Sequence, residues 1–168
     1  MPVHPEVDVL LQRIPDGDAG IRSTLAVMGE IVKAYKKDIA VITFARDLIA
    51  DVPAKNYAAE AQTIFDWVQT NIRYTQDADG VEVVQTPDNT IIMGHGDCDD
   101  MAVLTATLLA AVGKKTRFVA AGFDGGPPEH VWTEVLIGER WFAMDPTEID
   151  FNFGDRPPGV TSGIVWHN

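Results

Sequence analysis

The chain contains one cysteine, Cys98, in 168 residues, which excludes an internal disulfide. It contains neither CxxC nor HExxH, so a standard zinc site finds almost no ligands, and no metal or cofactor is expected. Met1 to Gln12 has no basic segment followed by a long apolar run, and nowhere does the chain approach the roughly eighteen uninterrupted apolar residues of a membrane span. Basic residues are scarce: 13 Lys and Arg face 25 Asp and Glu, a formal charge of −12, which would repel a phosphate backbone. The one basic cluster, VKAYKKD around Lys33 to Lys37, falls near a predicted helix end, where cations suit the helix dipole. These absences predict a soluble, cytoplasmic protein with neither nucleic acid nor membrane as partner.

What is present is material for a core. Hydrophobic residues make up 46% of the chain, enough for one domain over 1–168 that folds without staples. Ile21, Leu25, Met28, Val32 and Tyr35 recur at helical spacing and predict a helix of about 16 residues with Asp18 as N-cap. Two further helices are predicted, over about Asp38 to Ala50 and Asn56 to Ile72. Beyond Tyr74 the composition turns polar, a short strand is predicted at Val81 to Val84, and Thr86 to Asn89 reads as a turn around Pro87.

GHGDCDDMA, residues 94 to 102, follows. Asp97 is a plausible N-cap and Asp100 stands three residues later, a capping box with aspartate in place of glutamate. Met101, Leu104, Leu108, Leu109 and Val112 then run to Gly113, a suitable stop. Cys98 therefore falls in the first turn of a buried helix. On these residues alone it reads as a nucleophile or a small core residue; a metal set with His95, Asp97 and Asp99 is disfavoured, because residues this close in sequence rarely converge on one ion and the stretch lacks DxDxDG spacing.

The period then changes toward two. Thr116 to Gly122, His130 to Ile137 and Arg140 to Asp145 read as strands, the last two joined by Gly138-Glu139 as a type II′ hairpin. That register sets Trp132 opposite Asp145 and makes His130 and Asp145 diagonal neighbours, roughly 7–8 Å apart at the backbone. Val131, Val135, Phe142 and Met144 fall on the other, apolar face. A carboxylate on one imidazole nitrogen fixes the tautomer and leaves the other free to take a proton.

GDCDDMAVLTATLLAAVGKKTRFV, EHVWTEV and WFAMDPTE, in this order, resemble the transglutaminase-like superfamily, whose members carry a Cys–His–Asp triad in a papain-like arrangement. The resemblance covers about residues 57 to 150, and the size is similar to compact bacterial and bacteriophage versions. It implies an α+β fold in which a nucleophile-bearing central helix packs on a small antiparallel sheet. A helical extension, 1–56, would precede this core and a tail, 151–168, would follow it. It also implies Cys98 as nucleophile, His130 as general base and Asp145 as its orienting residue, acting on an amide or ester of a peptide or protein substrate. Gln85 and Tyr74 are the expected second oxyanion donors beside the Cys98 N–H, and Trp132 and His95 are expected to contact substrate. The second expectation is a structural or binding component of a homo-oligomer or a bacteriophage particle that keeps the fold without the chemistry.

Asp97, Asp99 and Asp100 would oppose a thiolate, so they are expected to be spent on capping or turned toward solvent or basic partners. An imidazolium about 4 Å away at an effective dielectric near 20 contributes on the order of 4 kcal/mol. On that footing Cys98 is expected to titrate well below the free thiol value of about 8.5.

Overall fold

The computed structural model describes residues 17–77 and 83–168. Three helices come first: α1 (Asp18–Tyr35), α2 (Ile39–Leu48) and α3 (Tyr57–Asn71). A two-residue strand β1 (Arg73–Tyr74), helix α4 (Pro87–Met93) and strand β2 (His95–Gly96) lead into α5 (Cys98–Ala111). Four strands follow, β3 (Thr116–Phe123), β4 (His130–Ile137), β5 (Arg140–Met144) and β6 (Val160–His167). They form an antiparallel sheet in the order β5-β4-β3-β6, while β1 and β2 pair in parallel. The fold class is α+β, as the sequence predicts.

The central element is α5. Every residue from Asp100 to Leu109 is buried, because the helix is covered on opposite sides. Met101, Leu104, Leu108 and Leu109 join one cluster with Ile64, Phe65 and Val68 of α3 and with Val135 and Met144 of the sheet. Ala102, Val103 and Ala106 join another with Leu25, Met28 and Val32 of α1 and with Phe118, Val131 and Ile164. The small side chains Ala102 and Ala106 permit close approach, and the Thr133 hydroxyl donates to the Ala102 carbonyl at 2.7 Å, tying β4 to the first turns of α5.

Several local expectations change. Asp18 lies inside α1, and Gly17, which offers no side-chain cap, precedes it. The turn expected at Thr86 to Asn89 is the start of α4, with Pro87 in the first helical turn, where its missing N–H costs nothing. The strand expected at Val81 to Val84 falls partly outside the described residues; Val83 and Val84 are not in a strand. Within the stretch read as a tail, Val160–His167 is a full strand paired along β3, and α1, read as an extension, packs on the central helix. Both segments belong to the core, since the apolar faces of α5 and β3 need covering. Among the described residues no helix is long and apolar enough to cross a membrane.

Candidate active site at the head of the central helix

The turn before α5 is fixed by short-range bonds. The Asp97 carboxylate accepts from the N–H groups of Asp99 (2.9 Å) and Asp100 (3.2 Å), and Asp100 Oδ2 accepts from the Asp97 N–H at 3.1 Å, completing the capping box. Asp100 departs from expectation by pointing inward: it is fully buried. Its carboxylate accepts from the Gln85 N–H at 2.6 Å and from the Gln85 amide at 2.8 Å. Gly96 is required for this closeness, because a Cβ there would stand 2.6 Å from the Asp100 Cβ. Gln85 also donates to the His95 carbonyl at 3.4 Å, so its amide serves the turn.

On the sheet, Gly138 at φ 62° makes the hairpin, with Ile137 opposite Arg140 and Thr133 opposite Met144. This is the register expected from sequence. It brings His130 Nε2 to 2.6 Å from Asp145 Oδ2. The other Asp145 oxygen accepts from the Thr147 hydroxyl at 2.7 Å and the Thr147 N–H at 3.2 Å, and the carboxylate is buried. An ionised carboxylate only accepts, so Nε2 carries the proton and the neutral ring keeps its lone pair on Nδ1.

Cys98 is the first residue of α5 and is partly buried. Its thiol donates to Asp99 Oδ1 at 3.8 Å, and the backbone N–H of Val131, the residue after His130, acts on the sulfur from the sheet. Burial pushes the thiol up, the carboxylates of Asp99 and Asp97 push it further, the Val131 N–H opposes them, and Asp145 adds to the rise. The same crowding raises Asp97 to about 6, through burial first and then Asp100. The side chains acting most strongly on the sulfur are carboxylates, which runs against the low thiol pKa expected from sequence. Alkylation by iodoacetamide should therefore climb with pH and still be rising at pH 8.5, without the plateau below neutrality that an ion-paired thiolate would give. Asp97→Asn keeps a capping side chain and removes a charge, so it should move the alkylation profile to lower pH. A wild-type plateau below pH 7 would show that His130 overrides the aspartates.

Tyr74, 44% exposed, lies on β1 opposite Gly96. Burial raises its phenol pKa first, followed by Cys98, Asp97, Glu148 and Asp99. It therefore stays a protonated O–H donor close to the thiol and the site's acidic rim. His95 is partly buried on β2, opposite Arg73. Trp132 is 2% exposed and its ring centroid is 6.0 Å from that of His130. It lines a cavity on the sheet face away from α5. Among the described residues no group of three or more His, Cys, Asp and Glu side chains is placed to hold a metal ion; Asp97 and Asp100 turn toward backbone N–H groups instead. The inward turn of Asp100 was invisible in the sequence, where its partner Gln85 lies in the irregular segment before α4.

Residues 42–146 match the family model described as the transglutaminase-like superfamily. No curated protein sequence matches the chain. Among solved structures, LapG of Legionella pneumophila is similar over 85% of this chain and 87% of its own, at 17% identity and a TM-score of 0.57. A proposed cysteine protease from Cytophaga hutchinsonii is 22% identical over 73% of this chain, with a TM-score of 0.57; the match spans 43% of that protein. A proposed protease from Parabacteroides distasonis matches 73% of this chain and 26% of its own at 15% identity, with a TM-score of 0.61. At these identities the structural likenesses speak to the fold.

Proposed function

The chain belongs to the transglutaminase-like superfamily, and from that premise we propose that it carries out thiol-dependent acyl chemistry on amide or peptide bonds, with Cys98, His130 and Asp145 as its catalytic residues. One arrangement supports this reading: Cys98 begins the central helix, the Val131 N–H of β4 acts on its thiol, and His130, the residue before Val131, has its ring held by the buried Asp145.

His130 Nδ1 takes the thiol proton as Sγ bonds to the carbonyl carbon. Because its surroundings keep the thiol protonated, transfer and attack are coupled. The carbonyl oxygen becomes an oxyanion that accepts from the Cys98 N–H, at the helix terminus where such groups lack partners, and from the Tyr74 hydroxyl. Gln85 holds Asp100 and is not assigned this role. Collapse breaks the C–N bond, the leaving nitrogen takes the proton from His130, and a thioester remains on Cys98. Water, activated by His130, then releases the acid and restores the thiol. Hydrolysis makes the smaller demand; an amine at the same position would give transfer.

The acidic surroundings, Asp97, Asp99 and Glu148 near Tyr74, favour neutral or basic peptide substrates, or amines as acceptors. His95, on β2 just before the Asp97 cap, is assigned to substrate contact. Activity-based labelling with a library of thiol-directed amide and ester probes tests the proposal. Wild type should be labelled at Cys98 and Cys98→Ala should not. Failure of the whole library, with the protein folded, would overturn the enzymatic reading and favour a structural component.

A further inference from the structure

The chain leaves β5 at Met144 and returns to it at Gly154, whose N–H donates to the Ala143 carbonyl at 2.8 Å. Residues 145–153 thus form a closed loop that begins with Asp145. Inside it the Phe151 N–H donates to the Glu148 carbonyl at 3.2 Å, and at its far end Phe153 stacks on Phe142 with ring centroids 5.6 Å apart. The start of the loop sets how Asp145 faces His130. Thr147 holds Oδ1 through its hydroxyl and its N–H, which leaves Oδ2 for the imidazole.

The middle of this loop is held from outside by Gln69. Its amide nitrogen, in the last turn of α3, donates to the Glu148 carbonyl at 2.8 Å and to the Phe151 carbonyl at 2.9 Å. An amide nitrogen has two hydrogens, and both are spent on backbone 79 and 82 positions further along the chain. The bond to Glu148 is exposed, so water could satisfy that carbonyl equally well and the bond adds little to stability. Its consequence is geometric, because it fixes where the loop stands against α3. The same helix leads through Ile72 into β1 and Tyr74. One side chain therefore joins the element leading to the proposed oxyanion donor with the loop that starts at the proposed triad's aspartate.

We propose that Gln69 is a positioning residue for the reaction: by clamping residues 148–151 to α3 it keeps Thr147, and through it Asp145, in the orientation that presents Oδ2 to His130. This rests on the roles proposed above for Cys98, His130 and Asp145, but the orientation itself can be read without turnover.

The proton between His130 Nε2 and Asp145 Oδ2 lies in a bond of 2.6 Å, and a proton in so short a charge-assisted bond resonates far downfield of ordinary ring N–H signals. The ¹H spectrum of the full chain should show it in wild type. It should be lost or broadened by exchange in Gln69→Leu, which fills similar space without donors, and in Gln69→Glu, which turns acceptors toward the two carbonyls. Both variants should melt close to wild type. With any probe that labels Cys98, Gln69→Leu and Thr147→Val should each slow acylation about tenfold, in the maximal rate rather than in the half-saturating probe concentration. The double variant should be little slower than the slower single one, because both changes act through Asp145. If the downfield proton depends on Gln69 but no probe labels wild type, the clamp stands and the acyl chemistry proposed above falls. The clamp is overturned by a downfield proton that persists in both Gln69 variants or is missing from wild type, or by rate losses that multiply in the double variant. Loss of the resonance only together with loss of the fold in both variants would also overturn it, assigning Gln69 to stability alone.

Discussion

Asp145→Asn is expected to slow acylation of Cys98 by any probe that labels wild type by about 10³- to 10⁴-fold, the scale seen when the carboxylate of a serine triad becomes an amide. The reason lies in Thr147. Its N–H and hydroxyl both donate to Asp145 Oδ1, so an amide at this position would keep its oxygen there and turn its NH₂ toward His130. Nε2 would then have to accept, the ring proton would move to Nδ1, and the nitrogen needed by the thiol would already be occupied. Geometry and burial are nearly unchanged, so circular dichroism and the melting curve should stay close to wild type. A variant acylated within tenfold of the wild-type rate would show that Asp145 does not set the tautomer on which the proposed reaction depends.

The second large effect is on stability. Asp100→Ala removes the acceptor of three N–H donors: the Gln85 backbone, the Gln85 amide and the Asp97 backbone. Unpaired buried donors cost about 1–3 kcal/mol each, and with partial relaxation the total should be about 3–5 kcal/mol. Denaturant titration reads this as a lower midpoint at unchanged slope. Cys98 should lose its probe reactivity further still, because the same bonds hold the turn from which it projects. Asp100→Asn, which keeps one acceptor oxygen, should fall between the two. A midpoint within about 0.5 kcal/mol of wild type would mean that solvent replaces Asp100 and that the buried carboxylate is not what fixes this turn.

Asp100 also marks where sequence reasoning reaches its end. Its reciprocal bond with Asp97 was legible because a capping box joins residues three apart. Its burial against Gln85 was not, because that contact depends on α4 and the chain before it folding over the helix start. The same division runs through α4 itself, where Pro87 suits a turn and a first helical turn equally well, and only its neighbours choose. At β6 an uncharged run in a Pro- and Gly-rich stretch gained a strand's identity from the open edge of β3.

For Cys98 the separation concerns chemistry as much as shape. The sequence by itself determined that this cysteine begins a capped helix and that His130 and Asp145 share one face of a hairpin, because capping and two-residue turns act over a few residues along the chain. Only the tertiary structure decided the charge the sulfur meets. Asp97 and Asp99 adjoin the cysteine in the chain, but its burial against β4 and the approach of Asp145 come from packing between distant segments, and desolvation and through-space repulsion depend on those distances rather than on spacing in sequence.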